Sequence, residues 1–279
     1  MSKTILITGC STGIGYTLAT ELKNNGYQVF ATARKLEDVE NLKKQGLIAI
    51  LLDLDDSQSI KNAVKEVLKQ TNNKLDVLIH NGAYGQVGAL EDVGRDVLRK
   101  QFETNVFGWH ELTNLILPIM KQQKYARIIY ISSILGFVAM PFRGAYNASK
   151  FAIEGLVDTL RLELKDTNIK LSLLEPGPIT SNFRKNAYKQ FKKNIDDKNS
   201  AYKNNYSAMI NRLNSHKPAK WTLGTNAVLK VVEKVITSSN PKTHYAITFP
   251  TKLFKILVRI LPIVWIDKIL YKAGDGGKG

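Results

Sequence analysis

A glycine-rich turn, Thr8-Gly9-Cys10-Ser11-Thr12-Gly13-Ile14-Gly15, lies near the start of the chain. An apolar run at residues 4–8 leads into it, and a helical pattern that includes Leu18 and Leu22 follows at once. Glycines between a strand and a helix allow a tight turn and let the backbone approach a pyrophosphate, which also meets the positive end of the helix dipole. The turn predicts a dinucleotide site made of Gly9, Ser11, Thr12, Gly13, Ile14 and Gly15. The alternative is a tight turn that binds no ligand.

Five further apolar, β-branched runs follow, at residues 28–33, 48–52, 77–80, 128–131 and 170–174. Helix-like segments separate them, and residues 57–70, for example, place Ile60, Val64 and Val67 on one face. Continuous apolar strands that alternate with helices are typical of βαβ units. The sequence therefore predicts an α/β fold of Rossmann type, a doubly wound parallel sheet with helices on both faces.

The charge of the chain is unevenly distributed. The 279 residues carry 40 Lys and Arg against 24 Asp and Glu, a net charge of +16. Residues 1–182 hold 21 basic and 19 acidic side chains, whereas residues 183–279 hold 19 and 5. We expect one structural domain, with a dinucleotide-binding and catalytic body at 1–182. Residues 183–279 would form an amphipathic tail and, as the family resemblance described below implies, a basic helical substrate lid and the last helix and strand of the fold.

The second predicted strand ends without an acidic residue. Folds that bind NAD place an Asp or Glu about 20 residues after the glycine-rich turn, where it binds the ribose hydroxyls. Here the chain reads Phe30-Ala31-Thr32-Ala33-Arg34-Lys35. The planar fork of donors on Arg34 suits a 2′-phosphate, and the alternative is a solvated charge at a strand end. The sequence thus favours NADP(H) over NAD(H).

Tyr146 and Lys150 lie four residues apart in a segment with a helical apolar face. Residues at this spacing share one face of a helix. A phenol with a pKa near 10 is a poor acid or base at neutral pH, and a neighbouring ammonium group moves that pKa toward the working range. Ser133 follows a predicted strand and could donate a hydrogen bond to a carbonyl oxygen. These three side chains are candidates for acid–base catalysis.

The chain resembles the short-chain dehydrogenases/reductases over about residues 3–183. The matching elements occur in that family's order and spacing: Thr8-Gly9-x3-Gly13-Ile14-Gly15, Asp53, Asn81, Asn105, Ser133, Tyr146-x3-Lys150 and Pro176-Gly177. Residues 104–108, 148–155 and 175–179 further resemble the subgroup that holds hydroxysteroid dehydrogenases, retinol dehydrogenases and acyl-dihydroxyacetone-phosphate reductases.

The resemblance implies a role for each of four catalytic residues. Tyr146 would be the general acid that protonates the developing alkoxide. Lys150 would lower the pKa of Tyr146 and hold the nicotinamide ribose hydroxyls. Ser133 would polarise the carbonyl group, and Asn105 would hold a water molecule in a proton relay toward Lys150.

The resemblance also implies further contacts with the cofactor. Asp53 would meet the adenine amine, and the region of Asn81 would lie along the adenosine ribose. The stretch from Pro176 to Ser181, which includes Ile179, would fix the carboxamide so that one nicotinamide face meets the substrate.

Two positions depart from the family pattern. The family's Asn-Asn-Ala-Gly is His80-Asn81-Gly82-Ala83 here, which puts Ala83 at a turn position where glycine is usual. The family's Thr after Pro-Gly falls at Ser181, which keeps the hydroxyl, and the adjacent Thr180 could substitute. Neither departure removes a catalytic group, so we expect activity to survive both.

The cysteine and histidines add no site to this prediction. Cys10 is the single cysteine, which excludes an intrachain disulfide. The four histidines are scattered without metal-ligand spacing. We therefore predict no metal site.

Residues 183–220 interleave basic side chains with aromatic ones. This pattern is found on nucleic-acid surfaces. The interpretation we favour is two amphipathic lid helices, with the aromatic side chains toward the substrate and the lysines toward water, because the resemblance places the substrate lid here.

The tail at residues 250–271 combines a wide apolar face with Lys252, Lys255, Arg259 and Lys268, and it includes Trp265. Such a composition describes a helix that lies in a membrane surface. Equally open are a helix packed on the body at the substrate entrance and a subunit contact. No run reaches the ~18 uninterrupted apolar residues of a membrane span.

We therefore expect an NADP(H)-dependent oxidoreductase that interconverts a ketone or aldehyde and an alcohol on a bulky lipophilic substrate, for which the basic lid suggests an anionic headgroup. The alternative is an NADPH-binding, membrane-peripheral sensor or scaffold without turnover. We expect a cytoplasmic protein, for which contact with a membrane surface is one option. A homo-oligomer is another option. Nucleic acid is the least favoured partner.

Overall fold

In the computed structural model of the protein, which describes residues 2–215 and 217–273, seven strands form one sheet. The strands are β1 (Thr4–Ile7), β2 (Gln28–Ala33), β3 (Ile48–Leu51), β4 (Val77–His80), β5 (Ala126–Ile131), β6 (Ile169–Glu175) and β7 (His244–Ala246). They are hydrogen-bonded in the order β3-β2-β1-β4-β5-β6-β7, and all pairs are parallel.

Helices cover both faces of this sheet. The helices are α1 (Gly13–Asn24), α2 (Leu36–Lys44), α3 (Ser57–Gln70), α4 (Arg95–Phe102), α5 (Gly108–Lys121), α6 (Gly144–Glu163), α7 (Phe183–Asn194), α8 (Lys203–Asn214), α9 (Asn226–Thr237), α10 (Phe249–Ile260) and α11 (Ile263–Ala273). Side chains of α1, α2 and α9 form one core with the sheet, and those of α3, α5 and α6 form the other. The predicted doubly wound α/β fold is confirmed.

The strands are largely apolar because each face of the sheet meets helices. In β1, Leu6 packs into the core with α3, α5 and α6, whereas its neighbours Ile5 and Ile7 pack into the core with α1, α2 and α9. Successive side chains of a strand point to opposite faces, so a sheet covered on both sides needs apolar residues at consecutive positions.

Two strands extend further than their apolar runs. β5 begins at Ala126 and includes Arg127, and β6 ends at the buried Glu175. Arg127 stays in the sheet because its guanidinium donates to the carbonyl groups of Ala126 and Ser238. Apolar runs in the sequence do not assign such polar residues to a strand, because the partners that hold them in the sheet are distant in sequence.

The sheet opens a crevice at the carboxyl ends of β1 and β4. These strands are neighbours, yet the chain leaves β1 toward β2 and β3 and returns at β4 to build the other half of the sheet. Ligands of doubly wound folds bind at such a switch point. The glycine-rich turn follows β1 and lies at this point.

The lid helices α7 and α8 correct one expectation. Two helices were predicted at residues 183–220, but most of their aromatic side chains do not face a substrate. Phe191 and Tyr206 are buried, with ring centroids 4.9 Å apart, and they pack with Val87 and Ala89 of the body. These aromatic residues anchor the lid to the body.

The tail forms two helices where one was expected. The chain breaks between α10 and α11 at Leu261-Pro262, because proline lacks the N–H that a helix interior requires. The inner face of both helices packs on the body through Phe254, Ile266 and Leu270. Within the described residues, no helix combines the length and apolarity that a bilayer crossing requires.

Candidate active site

A cavity of about 1250 Å³ lies along the carboxyl ends of the central strands and runs under the lid helices. This volume exceeds the ~300–1,000 Å³ of most single-ligand pockets. Most of the predicted site residues line it: Gly9, Ser11, Thr12, Gly13, Ile14, Arg34, Asp53, Asn81, Ser133, Tyr146, Lys150, Pro176, Ile179 and Ser181. The remaining two, Gly15 and Asn105, are buried outside this lining.

The glycine-rich turn has a geometry that larger residues would break. Gly9 has φ of +70°, and a Cβ on it would lie 2.5 Å from the Cα of Gly82. A Cβ on Gly15 would lie 2.2 Å from the carbonyl oxygen of Gly9. The turn therefore packs backbone against backbone, which brings the amino end of α1 to the cavity.

The amino end of α1 suits an anion. Thr12 precedes this helix without a side-chain capping bond, and the first turn contains no acidic residue. The first N–H groups of a helix have no partner within it, and the helix dipole makes this end positive. The turn and helix therefore fit the pyrophosphate of a dinucleotide.

Asn81 holds the turn in place. Its side-chain amide donates to the carbonyl groups of Thr8 and Gly9, both at 2.9 Å. The next two residues are the exchanged Gly82 and Ala83, and neither has a positive φ. Ala83 therefore occupies its position without the backbone strain that would demand glycine.

The end of β2 presents two cations and one carboxylate to the cavity. Arg34 and Lys35 line the cavity, and so does Asp38 of α2. Of these three residues, the sequence predicted only Arg34. Asp38 was missed, because it lies in a helix beyond the strand end at which an acidic residue was expected. Asp53 lines the cavity on the adjacent strand end.

Tyr146 lies in the first turn of α6 and is 8% exposed. Its ring meets Phe183 of the lid edge-on, with centroids 5.2 Å apart. Burial raises the pKa of the Tyr146 phenol, and the Ser133 hydroxyl acts in the opposite direction. Ser133 itself caps a short turn, in which its hydroxyl accepts from the backbone N–H of Leu135 at 3.1 Å.

Lys150 follows one turn later on the same helix and is 1% exposed. Its ammonium group donates to the carbonyl of Ile131 at 2.8 Å and lies 4.4 Å from the ring centroid of Trp109. Burial lowers the pKa of Lys150 to about 7, and the carboxylate of Glu154 opposes that shift. The amine is thus poised to gain or lose its proton near neutral pH.

Asn105 lies in a π-helical turn, Glu103–Phe107, between α4 and α5. Its side-chain amide donates to the carbonyl of Tyr84 and to the hydroxyl of Ser149, both at 3.0 Å, and its oxygen accepts from the N–H of Tyr84 at 3.2 Å. Both amide protons are therefore engaged within the protein. The water-holding role implied for Asn105 stays a prediction.

The lid, together with Arg143 at the start of α6, contributes a set of cations to the cavity wall. The cationic residues that line it on the substrate side are Arg143, Arg184, Lys185, Lys189, Arg212 and Lys217. Burial lowers the pKa of Arg184, and the positive charge of Arg212 on α8 adds to that shift. Arg143, Arg212 and Lys217 were not singled out from the sequence, since only the fold brings them beside the others.

A partly buried charge cluster, made of Glu154, Asp158, Glu175, His244 and Lys255, was also missed. The His244 Nδ1 lies 2.7 Å from Glu175 and 3.6 Å from Glu154, and its Nε2 lies 3.1 Å from Asp158. Lys255 of α10 donates to Glu175. These residues come from α6, β6, β7 and α10, so no spacing along the chain could indicate the cluster.

Three members of the cluster have the chemistry of metal ligands. The possible ligand atoms of Glu154, Glu175 and His244 lie within 4.8 Å of one another. The Lys255 ammonium contacts the same Glu175 oxygen as His244, so the cluster contains a cation of its own. The expectation of no metal site stays a prediction.

Comparison with known proteins places this cavity in context. A family model described as short chain dehydrogenase matches residues 3–192. The oxidoreductase YbbO of Escherichia coli is 39% identical over 277 residues, 97% of this chain and 94% of that protein. Human retinol dehydrogenase 8 is 38% identical over 65% of this chain and 60% of its own length. A 3-ketodihydrosphingosine reductase of Bacteroides thetaiotaomicron is 37% identical over 65% and 66%.

Solved structures share the architecture. A short-chain dehydrogenase from Streptomyces avermitilis superimposes with a TM-score of 0.75 at 23% identity, covering 100% of this chain and 98% of its own. ElxO with NADP bound gives a TM-score of 0.70 at 24% identity, over 88% and 96%. At these identities the likeness shows the fold.

Proposed function

The chain belongs to the short-chain dehydrogenase family, and on that premise we propose that it is an NADP(H)-dependent oxidoreductase that interconverts a ketone or aldehyde and an alcohol on a bulky lipophilic substrate. The observation that carries the proposal is that Ser133, Tyr146 and Lys150 line the same cavity as the glycine-rich turn at the amino end of α1.

The cofactor would be held along this cavity. The amino end of α1 would bind the pyrophosphate, Arg34 and Lys35 would bind the 2′-phosphate, and Asp53 would meet the adenine. When bound, the nicotinamide ring supplies or accepts the hydride. The chain's own residues bind the cofactor, orient the substrate and manage the proton.

Tyr146 would transfer the proton. In the reducing direction its phenol would donate a proton to the carbonyl oxygen as that oxygen gains charge, and Ser133 would donate a hydrogen bond to the same oxygen. Burial raises the pKa of Tyr146, so the phenol holds its proton at neutral pH. An ammonium group on Lys150 would favour the phenolate that remains, and would thereby ease the transfer.

The substrate would combine an apolar body with an anionic group. Arg184 and Arg212 of the lid helices both line the cavity, and the charge of Arg212 contributes to lowering the pKa of Arg184. An anion between like charges relieves their repulsion. Retinol dehydrogenase 8 and 3-ketodihydrosphingosine reductase are relatives named for lipophilic substrates, which supports the apolar part.

A matched panel tests the reaction and the substrate class together. The loss of NADPH fluorescence would be followed with long-chain aldehydes and ketones that carry either a phosphate or a neutral headgroup. We expect turnover, and lower KM values for the phosphate-bearing member of each pair. Saturable NADPH binding without turnover on any member would favour the sensor or scaffold instead.

Arg184→Gln should raise KM for the phosphate-bearing substrates about tenfold, because hydrogen bonds to charged groups are worth about 1.5–3 kcal/mol. The neutral members should change little. The control is Lys193→Gln, an exposed cation on the same helix that does not line the cavity. Equal changes for neutral and anionic substrates would remove Arg184 from headgroup binding.

We further propose that the outer face of the tail, formed by α10 and α11, contacts an anionic membrane surface. Ile260, Ile263 and Trp265 are 67%, 69% and 63% exposed, although the opposite faces of both helices pack on the body. The exposed basic residues around them are Lys252, Arg259, Lys268 and Lys272, against one exposed acid, Asp267. Two copies paired through this face by a twofold axis would bring like charges together, whereas anionic lipid complements them.

The triple variant Ile260→Ser, Ile263→Ser, Trp265→Ser should reduce binding to vesicles that contain phosphatidylglycerol roughly tenfold or more, since each side chain loses the gain from burying its apolar area. Co-sedimentation measures the effect. Leu162→Ser, at another exposed apolar position, should bind as the parent does. A parent that ignores vesicles but forms a dimer, which the triple variant dissolves, would assign the face to self-association.

A further inference from the structure

Among the residues that the structure describes, no carboxylate is hydrogen-bonded to the ammonium group of Lys150. That group bonds to the Ile131 carbonyl and faces the rings of Trp109 and Tyr146. His80 of β4 also faces it, but burial and the charge of Lys150 lower the pKa of His80 to about 3, so His80 is neutral near pH 7. A fully buried ammonium group in these surroundings needs a negative charge nearby to persist.

Glu154 is placed to supply that charge. It follows Lys150 by four residues on α6, so the two side chains share one helical face. Its side chain is 13% exposed, and its Oε1 is buried without a hydrogen-bond partner among the described residues. A Cβ on Gly136 would lie 2.8 Å from that oxygen, so the turn after Ser133 closes over the carboxyl group.

The rest of the partly buried charge cluster surrounds Glu154 from four elements. Asp158 lies on its own helix, Glu175 on β6, His244 on β7 and Lys255 on α10. Burial raises the pKa of Glu154 to about 7, and Glu175 adds to that rise; the neighbouring Ser132 hydroxyl opposes it most, followed by His244 and Lys255. The two cations therefore help Glu154 to ionise in the pH range in which Lys150 titrates.

We propose that Glu154 is a positioning residue whose carboxylate favours the ammonium form of Lys150, so that Tyr146 and the cofactor meet a cation over more of the neutral pH range. The proposal rests on the role proposed for Lys150. The test measures the protonation of Lys150 directly, so its result does not depend on whether the protein catalyses the proposed reaction.

Loss of the Glu154 carboxylate should lower the pKa of Lys150, because a nearby negative charge stabilises the ammonium form. Lys150 loses its proton as the pH rises through its pKa, which lies at about 7 with Glu154 raising it. Without the carboxylate that support disappears, so the amine becomes neutral at a lower pH. In turnover, the limb of the pH profile at which activity falls toward high pH should move downward by the same amount.

The test is an NMR titration of the Lys150 Nζ signal in ¹⁵N-labelled protein, identified by its loss in Lys150→Met. Glu154→Gln should lower the titration midpoint by about one pH unit or more, the usual effect of losing a neighbouring opposite charge. Glu154→Asp should recover part of that shift. Asp158→Asn, one turn further along and hydrogen-bonded to the same His244, should move the midpoint far less.

A second measurement needs no change at position 154. In the parent chain the Lys150 titration should depart from a single step, because it senses the ionisation of Glu154 over the same pH range. A folded Glu154→Gln variant with the parent midpoint would overturn the proposal. So would a single-step Lys150 titration in a parent whose Glu154 stays protonated above pH 9.

Discussion

Tyr146→Phe should lower turnover about 10²- to 10⁴-fold, the range that a positioned general acid contributes. The change removes one hydroxyl from a ring that is otherwise held by Phe183 and the surrounding core, so the fold should persist. NADPH should still bind, because the glycine-rich turn and Arg34 lie elsewhere in the cavity. Turnover and NADPH affinity, measured on the same preparation, separate the two effects.

The matched control for this variant is Tyr84→Phe. Tyr84 also lines the cavity, and burial raises the pKa of its phenol to about 12, yet we give it no role in proton transfer. It should keep most of the parent turnover. Comparable losses in both variants would mean that any disturbance of the cavity stops the reaction, and Tyr146 would lose its assignment as the acid.

Arg34→Ala should weaken NADPH binding about 10- to 100-fold while NADH binding stays nearly constant. A guanidinium bonded to a phosphate is worth about 1.5–3 kcal/mol, and each 1.4 kcal/mol is a factor of ten in affinity. NADH has no 2′-phosphate and cannot lose this contact. Fluorescence titration with both cofactors measures the ratio.

Lys44→Ala provides the comparison for Arg34, since Lys44 is an exposed cation at the end of α2 that does not line the cavity. It should leave both affinities unchanged. If Arg34→Ala weakens NADPH and NADH equally, Arg34 stabilises the site in general, and the preference for NADP(H) would need another basis, such as Lys35.

The fold was predictable because its determinants are local. Apolar runs, the glycine-rich turn and the helical spacing of Ile60, Val64 and Val67 are all visible within short windows of sequence. The bounds of β5 and β6 were less accurate. Arg127 and Glu175 belong to those strands, but each depends on partners that are distant in sequence.

The same distinction between local and distant determinants decides which parts of the site could be predicted. The spacing of Tyr146 and Lys150, four residues apart on one helix, could be read directly. The presence of Arg184 and Arg212 in one cavity wall, and the pairing of Lys255 with Glu175, could not, because these residues lie on different elements that only the fold brings together. The break of the tail at Pro262 was readable from the sequence, yet a continuous apolar face suggested one helix.

The central claim is that this cavity carries out carbonyl reduction with NADPH through Tyr146. The most direct measurement compares the NADPH consumed with the alcohol formed, for the parent chain and for Tyr146→Phe, using a long-chain aldehyde with an anionic headgroup. We predict equal molar amounts in the parent and almost no alcohol in the variant. Alcohol formation at the same rate in both, or NADPH binding with no alcohol from any carbonyl compound offered to the parent, would contradict the claim.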